Sequence, residues 1–200
     1  EIAQCLVGSE MCIRDRLTLI NDIIRLSELD QVEEQNCFEE LDIYDIAQNC
    51  VEMLRLSAKK HDVTMELHGV HRIICANRQM MDELVYNLCD NAIRYNNPGG
   101  RVDITVDAAV AFDKTAETGA TIIEVKDTGI GISKEHQERI FERFYRVDKS
   151  RSKSTGGTGL GLAIVKHIVA AHKNASLSLT SEPGKGTCIR VDFKMKTNLE

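Results

Sequence analysis

The sequence predicts an α+β domain in which helices cover one face of a mixed β-sheet. Two observations support this fold class. Segments with apolar residues three and four positions apart, typical of amphipathic helices, recur along the chain, and short runs of alternating apolar residues, typical of half-buried strands, lie between them. Because 42% of the 200 residues are hydrophobic, the chain can bury one real core and carry a short appendage.

The composition excludes several classes of partner. A formal net charge of −6 argues against a nucleic acid or an anionic membrane as the principal partner, because such surfaces attract positive patches. The seven cysteines lack the short paired spacing of zinc sites, which is typical of free thiols in a reducing cytosol. No apolar run approaches the ~20 residues needed to span a bilayer. We therefore expect a cytoplasmic chain. Any phosphate-binding site must be a local group of residues within this acidic chain and not a large basic surface.

The first third of the chain predicts two helices. Apolar residues recur at helical spacing from Leu17 to Leu29, and a stretch rich in Glu and Gln follows as a linker or the lead-in to a strand. This pattern places a domain boundary between an appendage of residues 1–36 and a main domain of residues 37–200. In the main domain, Asp42 is a candidate N-cap of a helix that ends near His61.

The middle of the chain predicts four strands and one long helix. Two short strands are predicted at Val63–Leu67 and Arg72–Ala76, and a helix from Gln79 to Tyr95 stops before a cluster of Asn, Pro and Gly residues. Alternating residues around Val102–Val106 and Ile122–Val125 predict a hairpin. The polar, turn-rich residues between these two strands are expected to form a mobile loop.

The last third predicts two helices, a lid and two strands. A helix is expected at Lys134–Phe144, and another at Leu160–His172. Between them lies a polar segment, Asp148–Thr158, whose Lys, Arg, Ser and Gly residues predict a flexible lid. Strands around Leu177–Thr180 and Thr187–Phe193 complete the predicted sheet.

Two asparagines and an arginine share one stripe of the predicted helix Gln79–Tyr95. Asn87, Asn91 and Arg94 follow each other at intervals of four and three residues. Asparagine is a poor helix former because its side chain competes for backbone hydrogen bonds. A binding role is one explanation, and a solvated polar face is the ordinary one. The opposite, core-facing side is predicted to consist of Met81, Leu84, Val85, Leu88 and Ala92.

An acidic residue and two glycines follow the predicted strand Ile122–Val125. Asp127 could accept a hydrogen bond from an exocyclic amino group such as that of adenine. Gly129 and Gly131 allow positive φ angles and the close approach of a flat ligand. The motif alone is a weak signal, because Asp-x-Gly is also a common turn.

A glycine-rich run, Gly156-Gly157-Thr158-Gly159-Leu160-Gly161, leads directly into the helix Leu160–His172. Such a start leaves backbone N–H groups and the positive end of the helix dipole available to a polyphosphate. The alternative is a linker that precedes a helix by chance. Neither the P-loop pattern nor a G-x-G-x-x-G after a strand is found, so these two nucleotide-binding classes are excluded.

Taken in chain order, five motifs resemble the N, G1, F, G2 and G3 boxes of the catalytic domain of histidine kinases. They are the asparagine helix, Asp127-Thr128-Gly129-Ile130-Gly131, Arg139-Ile140-Phe141-Glu142-Arg143-Phe144-Tyr145-Arg146, the glycine-rich run, and Gly184-Lys185-Gly186-Thr187. The similarity covers about residues 37 to 194. A match of five motifs in the same order argues strongly against chance agreement.

The resemblance implies that the chain binds ATP and Mg²⁺ and assigns the phosphate side of the site. Asn91 would hold Mg²⁺ against the phosphates, with Asn87 beside it on the helix. Arg94 would contact phosphate, and Arg146 would lie near the γ-phosphate, so that Asn87, Arg94 and Arg146 are the implied catalytic residues. The phosphate tail would be wrapped by Gly157, Thr158, Gly159, Leu160 and Gly161.

The adenine side follows from the same resemblance. Asp127 would bind the adenine amino group, Gly129 and Gly131 would open the pocket, and Thr187 would support Asp127 through a water molecule. Aromatic residues would border the nucleotide at Tyr95 and Tyr145.

The implied fold is the two-layer α/β sandwich, or Bergerat fold, shared with gyrase-type and Hsp90-type ATPases. Those relatives carry a glutamate general base at the position that Asn87 occupies. Without that carboxylate the site is poorly equipped to activate water, which favours transfer to a histidine over hydrolysis.

The histidine acceptor has no match in this sequence, because none of the six histidines lies in the family's His-Glu-x-x-Thr-Pro-Leu context. Arg16 to Asp30 resembles the end of the second helix of the dimerisation and phosphoacceptor domain, which implies an N-terminally truncated kinase. The implied parent is a membrane-anchored homodimer that acts on a response regulator receiver domain. Two alternatives stay open: a nucleotide-binding module without transfer activity, and a gyrase-like or Hsp90-like ATPase.

Overall fold

A computed structural model describes residues 38–108, 120–147 and 157–194, together with the helical residues Ile20 and Ile24. The elements in chain order are β1 (Glu39–Asp42), α1 (Ile43–Lys60), β2 (Val63–Gly69), β3 (Ile73–Ala76), α2 (Arg78–Arg94), β4 (Gly100–Ala108), β5 (Thr121–Asp127), α3 (Lys134–Gln137), a 3₁₀ turn (Arg139–Phe141), α4 (Gly161–Ala171), β6 (Ala175–Glu182) and β7 (Gly186–Phe193).

The main sheet has five strands in the order β2-β4-β5-β7-β6. Strands β2 and β4 run parallel, and every other neighbouring pair runs antiparallel. The predicted mixed sheet and the predicted β4–β5 hairpin are therefore confirmed. A separate antiparallel pair, β1 with β3, lies beside the start of α1 and α2.

The core lies between one face of this sheet and the helices α1, α2 and α4. Helix α2 is the central one and packs against both α1 and α4. Alternate residues of each strand point towards it, as period-two alternation requires, so that Val102, Ile104 and Val106 of β4 are fully buried. The two-layer sandwich is confirmed. The predicted apolar face of α2 is also confirmed, because Met81, Leu84, Val85, Leu88 and Ala92 are all buried.

Two polar side chains fix where the long helices begin. Asp42 Oδ1 accepts a hydrogen bond from the backbone N–H of Tyr44 at 3.0 Å, which confirms the predicted N-cap of α1. Asn77 Oδ1 accepts from the N–H of Met80 at 3.0 Å and caps α2. Each bond satisfies one of the N–H groups that a first helical turn leaves without a partner.

The predicted helix at Lys134–Phe144 is wrong in its length. Helix α3 ends at Gln137 and a 3₁₀ turn follows, because Ile140 is the one core residue of the segment and no apolar stripe continues past it. Phe144 has a φ of 63°, a left-handed conformation that ends helical structure, and its N–H donates to Gly159 O at 3.0 Å.

Several predictions fall on residues that the structure does not describe. These are most of the helix Leu17–Leu29, the boundary after residue 36, the loop around residues 114–119, and residues 148–156 of the predicted lid. Ile20 and Ile24 are about half exposed, at 51% and 49%. Within the described parts of the chain, we find no helix with the length and apolar character required to cross a bilayer.

Candidate functional site

Asp127 ends β5 with its carboxylate buried and held by two backbone groups. Only 9% of the residue is exposed. Its Oδ1 accepts from the N–H of Gly129 at 2.8 Å and from the N–H of Thr187 at 3.2 Å. Burial raises the pKa of Asp127, while these two hydrogen bonds act to lower it. Because both described bonds go to Oδ1, the other oxygen of a rigidly held carboxylate can accept from a ligand.

Gly129 and Gly131 let the loop after Asp127 close against two neighbouring segments. A Cβ at Gly129 would lie 2.3 Å from Tyr95 O, and a Cβ at Gly131, where φ is +66°, would lie 2.0 Å from Glu182 O. The N–H of Ile130 donates to Tyr95 O at 3.1 Å. The backbone of the protein itself therefore fills the space that these glycines open, and the loop is fastened to the end of α2.

Asn87 and Asn91 use their amide N–H groups within α2. Asn87 Nδ2 donates to Glu83 O at 2.8 Å, and Asn91 Nδ2 donates to Asn87 O at 2.8 Å. The side-chain oxygens remain as the ligand atoms that the pair can offer. A Cβ at Gly161 would lie 2.9 Å from Asn87 Oδ1 and 3.2 Å from Asn91 Nδ2. The first residue of α4 thus rests against the asparagine pair.

Three predicted binding residues surround Gly157. A Cβ at Gly157 would lie 3.9 Å from both Arg94 Nη1 and Arg146 Nη2, and 4.0 Å from the hydroxyl of Tyr95. Arg146 also donates a hydrogen bond to Gly157 O. Arg94 Nε forms an ion pair with Asp90 Oδ2 at 2.6 Å, which fixes the direction of the guanidinium. Two cations and a phenol therefore converge on one short glycine segment.

The segment that enters α4 leaves the first turn of the helix without a side-chain cap. Gly159 has a φ of +74°, and the Leu160 side chain is fully buried as an anchor. Leu160 N–H donates to Thr158 Oγ1 at 3.3 Å. The positive end of an eleven-residue helix consequently opens beside Asn87, Asn91 and the two arginines, which is an arrangement that favours an anion.

Tyr145 is held on the side of α3. Its hydroxyl lies 2.7 Å from His136 Nδ1, and the guanidinium of Arg139 lies 4.2 Å from the centre of its ring. Both contacts join the residue before Arg146 to α3 and the 3₁₀ turn. Their effect is to fix the backbone from which Arg146 projects.

Thr187 is tied to Asp127 more directly than the sequence predicts. Its backbone N–H donates to the carboxylate without an intervening water, while its hydroxyl lies 2.9 Å from Ser181 Oγ. Ser181 and Gln137 are site-supporting residues that sequence reasoning misses. Gln137 Nε2 donates to Ile132 O and to Ser181 O, each at 2.9 Å. The one sequence feature that could have pointed to Ser181 is its position just before the glycine turn Gly184–Gly186.

The comparisons with known proteins agree with this geometry. The family described as "Histidine kinase-, DNA gyrase B-, and HSP90-like ATPase" matches residues 76–197. The sensor histidine kinase RppB of Synechocystis is 40% identical over 177 residues, which cover 88% of this chain and 37% of RppB. The chain therefore spans less than half the length of this relative.

Solved structures show the same fold. The mycobacterial sensor histidine kinase MprB aligns with a TM-score of 0.63 and 26% identity over 78% of this chain and 96% of that one. Full-length ShkA in complex with AMPPNP aligns with a TM-score of 0.71 and 22% identity over 90% of this chain and 36% of ShkA. The chain belongs to the histidine kinase-, DNA gyrase B- and HSP90-like ATPase family, and it carries the ATP-binding domain of the sensor histidine kinase type.

Proposed function

We propose that this chain binds MgATP in the site described above and, in its parent protein, transfers the γ-phosphoryl group to a histidine. One observation carries the proposal. The uncapped start of α4 lies against Asn87 and Asn91, beside the two guanidinium groups that converge on Gly157. A polyphosphate needs this combination of cations, helix N–H groups and metal-binding oxygens.

The adenine end is assigned to Asp127. The carboxylate oxygen that Gly129 and Thr187 leave unused can accept a hydrogen bond from an exocyclic amino group. Gly129 and Gly131 hold the loop in place, and Tyr95 lies between this loop and Gly157, since its carbonyl accepts from Ile130 and its hydroxyl approaches the glycine segment. Tyr145 borders the site from the α3 side.

The phosphate end is assigned to the arginines, the asparagines and the start of α4. Arg94 and Arg146 neutralise phosphate charge, and Gly157, Thr158, Gly159, Leu160 and Gly161 offer backbone N–H groups. The asparagine side chains fit Mg²⁺, which prefers oxygen ligands and few protein groups. Asn91 would hold the ion through Oδ1, because its Nδ2 is engaged by Asn87 O. When bound, Mg²⁺ supplies charge neutralisation across the phosphate oxygens.

Transfer to a histidine is favoured over hydrolysis because the described site lacks a suitable base. Asn87 occupies the position from which a carboxylate would activate water, and an amide cannot take up a proton. The carboxylate of Glu83, one turn before Asn87 on α2, has its Oε2 3.5 Å from Asn87 Nδ2. A gyrase-like or Hsp90-like ATPase is therefore not favoured.

The remaining partners follow from the relatives that are sensor histidine kinases. We propose that residues 1–36 include the end of a phosphoacceptor helix, and residues 37–200 form the kinase domain. The parent would be a homodimer with its kinase domain in the cytoplasm and a response regulator receiver domain as its phosphoryl acceptor. As an isolated chain, the protein would bind nucleotide without phosphorylating itself.

Two linked measurements test the proposal. Calorimetric titration with ATP, with and without Mg²⁺, is expected to show binding that strengthens with the metal. Radiolabelled ATP and a separately supplied phosphoacceptor domain of a similar kinase are then expected to give an acid-labile, base-stable phosphohistidine. Binding without any labelled acceptor would favour a nucleotide-binding module, and rapid release of phosphate without an acceptor would favour an ATPase.

A further inference from the structure

The hydroxyl of Ser181 joins three segments around the carboxylate of Asp127. Ser181 Oγ accepts from the N–H of Ile132 at 2.8 Å, lies 3.0 Å from Gly186 O, and lies 2.9 Å from Thr187 Oγ1. Ser181, Thr187 and Asp127 project from the helix-facing side of three neighbouring strands, β6, β7 and β5. The hydroxyl is therefore part of the wall that supports the adenine end of the site.

Counting protons fixes the direction of the bond between Ser181 and Thr187. A hydroxyl has one proton to donate and two lone pairs to accept with. The carbonyl of Gly186 cannot donate, so the proton between it and Ser181 Oγ must come from Ser181. One lone pair of Ser181 is taken by Ile132 N–H. The contact with Thr187 then requires that Thr187 donate to Ser181.

We propose that Ser181 is a specificity-determining residue, because it holds the Thr187 hydroxyl in an orientation in which it can only accept from a ligand. Thr187 and the unused oxygen of Asp127 would then both present acceptors at the adenine end. In direct contact, such a pair favours a purine with an amino group at position 6 and disfavours one with a carbonyl there. This inference rests on the proposed binding of a purine nucleotide.

Inosine triphosphate is a suitable probe, because it differs from ATP only in the oxo group and the added proton of its base. Ser181→Ala removes the acceptor of the Thr187 proton and frees that proton for an oxo group. The ratio of inosine triphosphate Kd to ATP Kd is expected to fall about fivefold, the value of one ordinary hydrogen bond. Ser181→Thr retains the hydroxyl and is expected to keep the wild-type ratio.

The backbone near Ser181 has support that the alanine variant retains, since Gln137 still donates to Ile132 O and Ser181 O. Ser181→Cys keeps the shape of the side chain with a weak acceptor and carries the test if the alanine variant unfolds. Ser178→Ala is the matched control on the same strand, because Ser178 is exposed and its Oγ lies 3.5 Å from Arg190 O.

The ratio of inosine triphosphate Kd to ATP Kd separates an effect on base specificity from a general effect on the fold. A structural role alone would weaken both nucleotides equally and leave the ratio unchanged in Ser181→Ala, which would overturn the inference while the proposed function stands. A wild-type chain that binds neither nucleotide would overturn the proposed function and this inference with it.

Discussion

The rings of Phe38 and His172 meet edge to face, with 5.2 Å between their centroids and 73° between their planes. His172 also packs against Phe193, and its Nδ1 lies 2.8 Å from Ile168 O. Only 1% of the residue is exposed, and its Nε2 has no described partner. The first described residues of the domain are thus attached to the end of α4 through a buried imidazole.

Acid is expected to weaken the fold through His172. Burial lowers the pKa of His172 below its ordinary value of 6.5, while the contact with Ile168 O acts to raise it. The folded state therefore binds the proton more weakly than the unfolded chain, so this contribution to stability is present above pH 6.5 and is lost as the pH falls towards the lowered pKa. Urea unfolding from pH 5 to 7.5 measures the effect. His172→Phe should flatten the slope, and an unchanged slope would contradict the assignment.

Asp127→Asn is expected to weaken ATP binding by about 1.5–3 kcal/mol, because it replaces a charged acceptor by a neutral one. The variant should remain folded, since an amide oxygen can still accept from Gly129 and Thr187. Isothermal titration calorimetry gives the comparison. Asp107→Asn, at an exposed position near the far end of β4, is the control and should bind ATP normally. Unchanged affinity in Asp127→Asn would remove the adenine role.

Asn91→Ala is expected to abolish the dependence of ATP binding on Mg²⁺, because it removes the side-chain oxygen assigned to the ion. Binding in the absence of metal should change much less. Titrations of ATP at several Mg²⁺ concentrations separate the two effects. Asn174→Ala, which removes an exposed amide that donates to Lys194 O at 2.7 Å, tests for general effects of losing an asparagine. An Asn91 variant that still responds to Mg²⁺ would show that other groups hold the metal.

Leu84→Ala is expected to lower the free energy of unfolding by about 2–5 kcal/mol, because it leaves a cavity in the packed core. Leu84 is fully buried on α2, whereas Leu56 of α1 is 81% exposed. Leu56→Ala makes the same chemical change at the surface and should alter stability by no more than about 0.5 kcal/mol. Urea denaturation of both variants at pH 7.5 provides the measurement. An equal loss of unfolding free energy in both variants would contradict the difference in burial between Leu84 and Leu56.

The long elements could be predicted from sequence because burial alone selects their pattern. The apolar stripe of α2 and the alternation in β4 face one continuous core, and Asp42 provides a local start signal for α1. For strand β1 the sequence offered only a linker or the lead-in to a strand, without bounds, since its four residues gain their conformation from pairing with β3, more than thirty positions away. Long-range pairing of this kind leaves little trace in local sequence.

The candidate site likewise contains residues that the sequence predicts and residues that only the folded structure shows. Asn87, Asn91, Asp127 and the glycine run carry signals in their own spacing, and the structure brings Asn87 and Asn91 to Gly161. The supporting contacts of Ser181, Gln137 and His136 depend on which loops meet in space. Polar residues of these types are common on surfaces, so their roles appear only when their partners are known. The ion pair between Asp90 and Arg94 is local, because the two residues are four positions apart on α2, but the approach of Arg94 to Gly157 is a tertiary feature.

The bond from Thr187 N–H to Asp127 Oδ1 joins residues that are 60 positions apart, and this separation has a consequence for how the protein folds. The β6–β7 hairpin pairs neighbours in sequence, with Glu182 opposite Gly186, and can form early. Strand β5 must pair with β7 across the intervening α3, α4 and β6, and such a long-range contact forms slowly because chain entropy is lost before the contacts form. The Asp127–Thr187 bond therefore exists only when β5 and β7 have paired, and a nucleotide that needs this bond reports that the sheet is complete at this point.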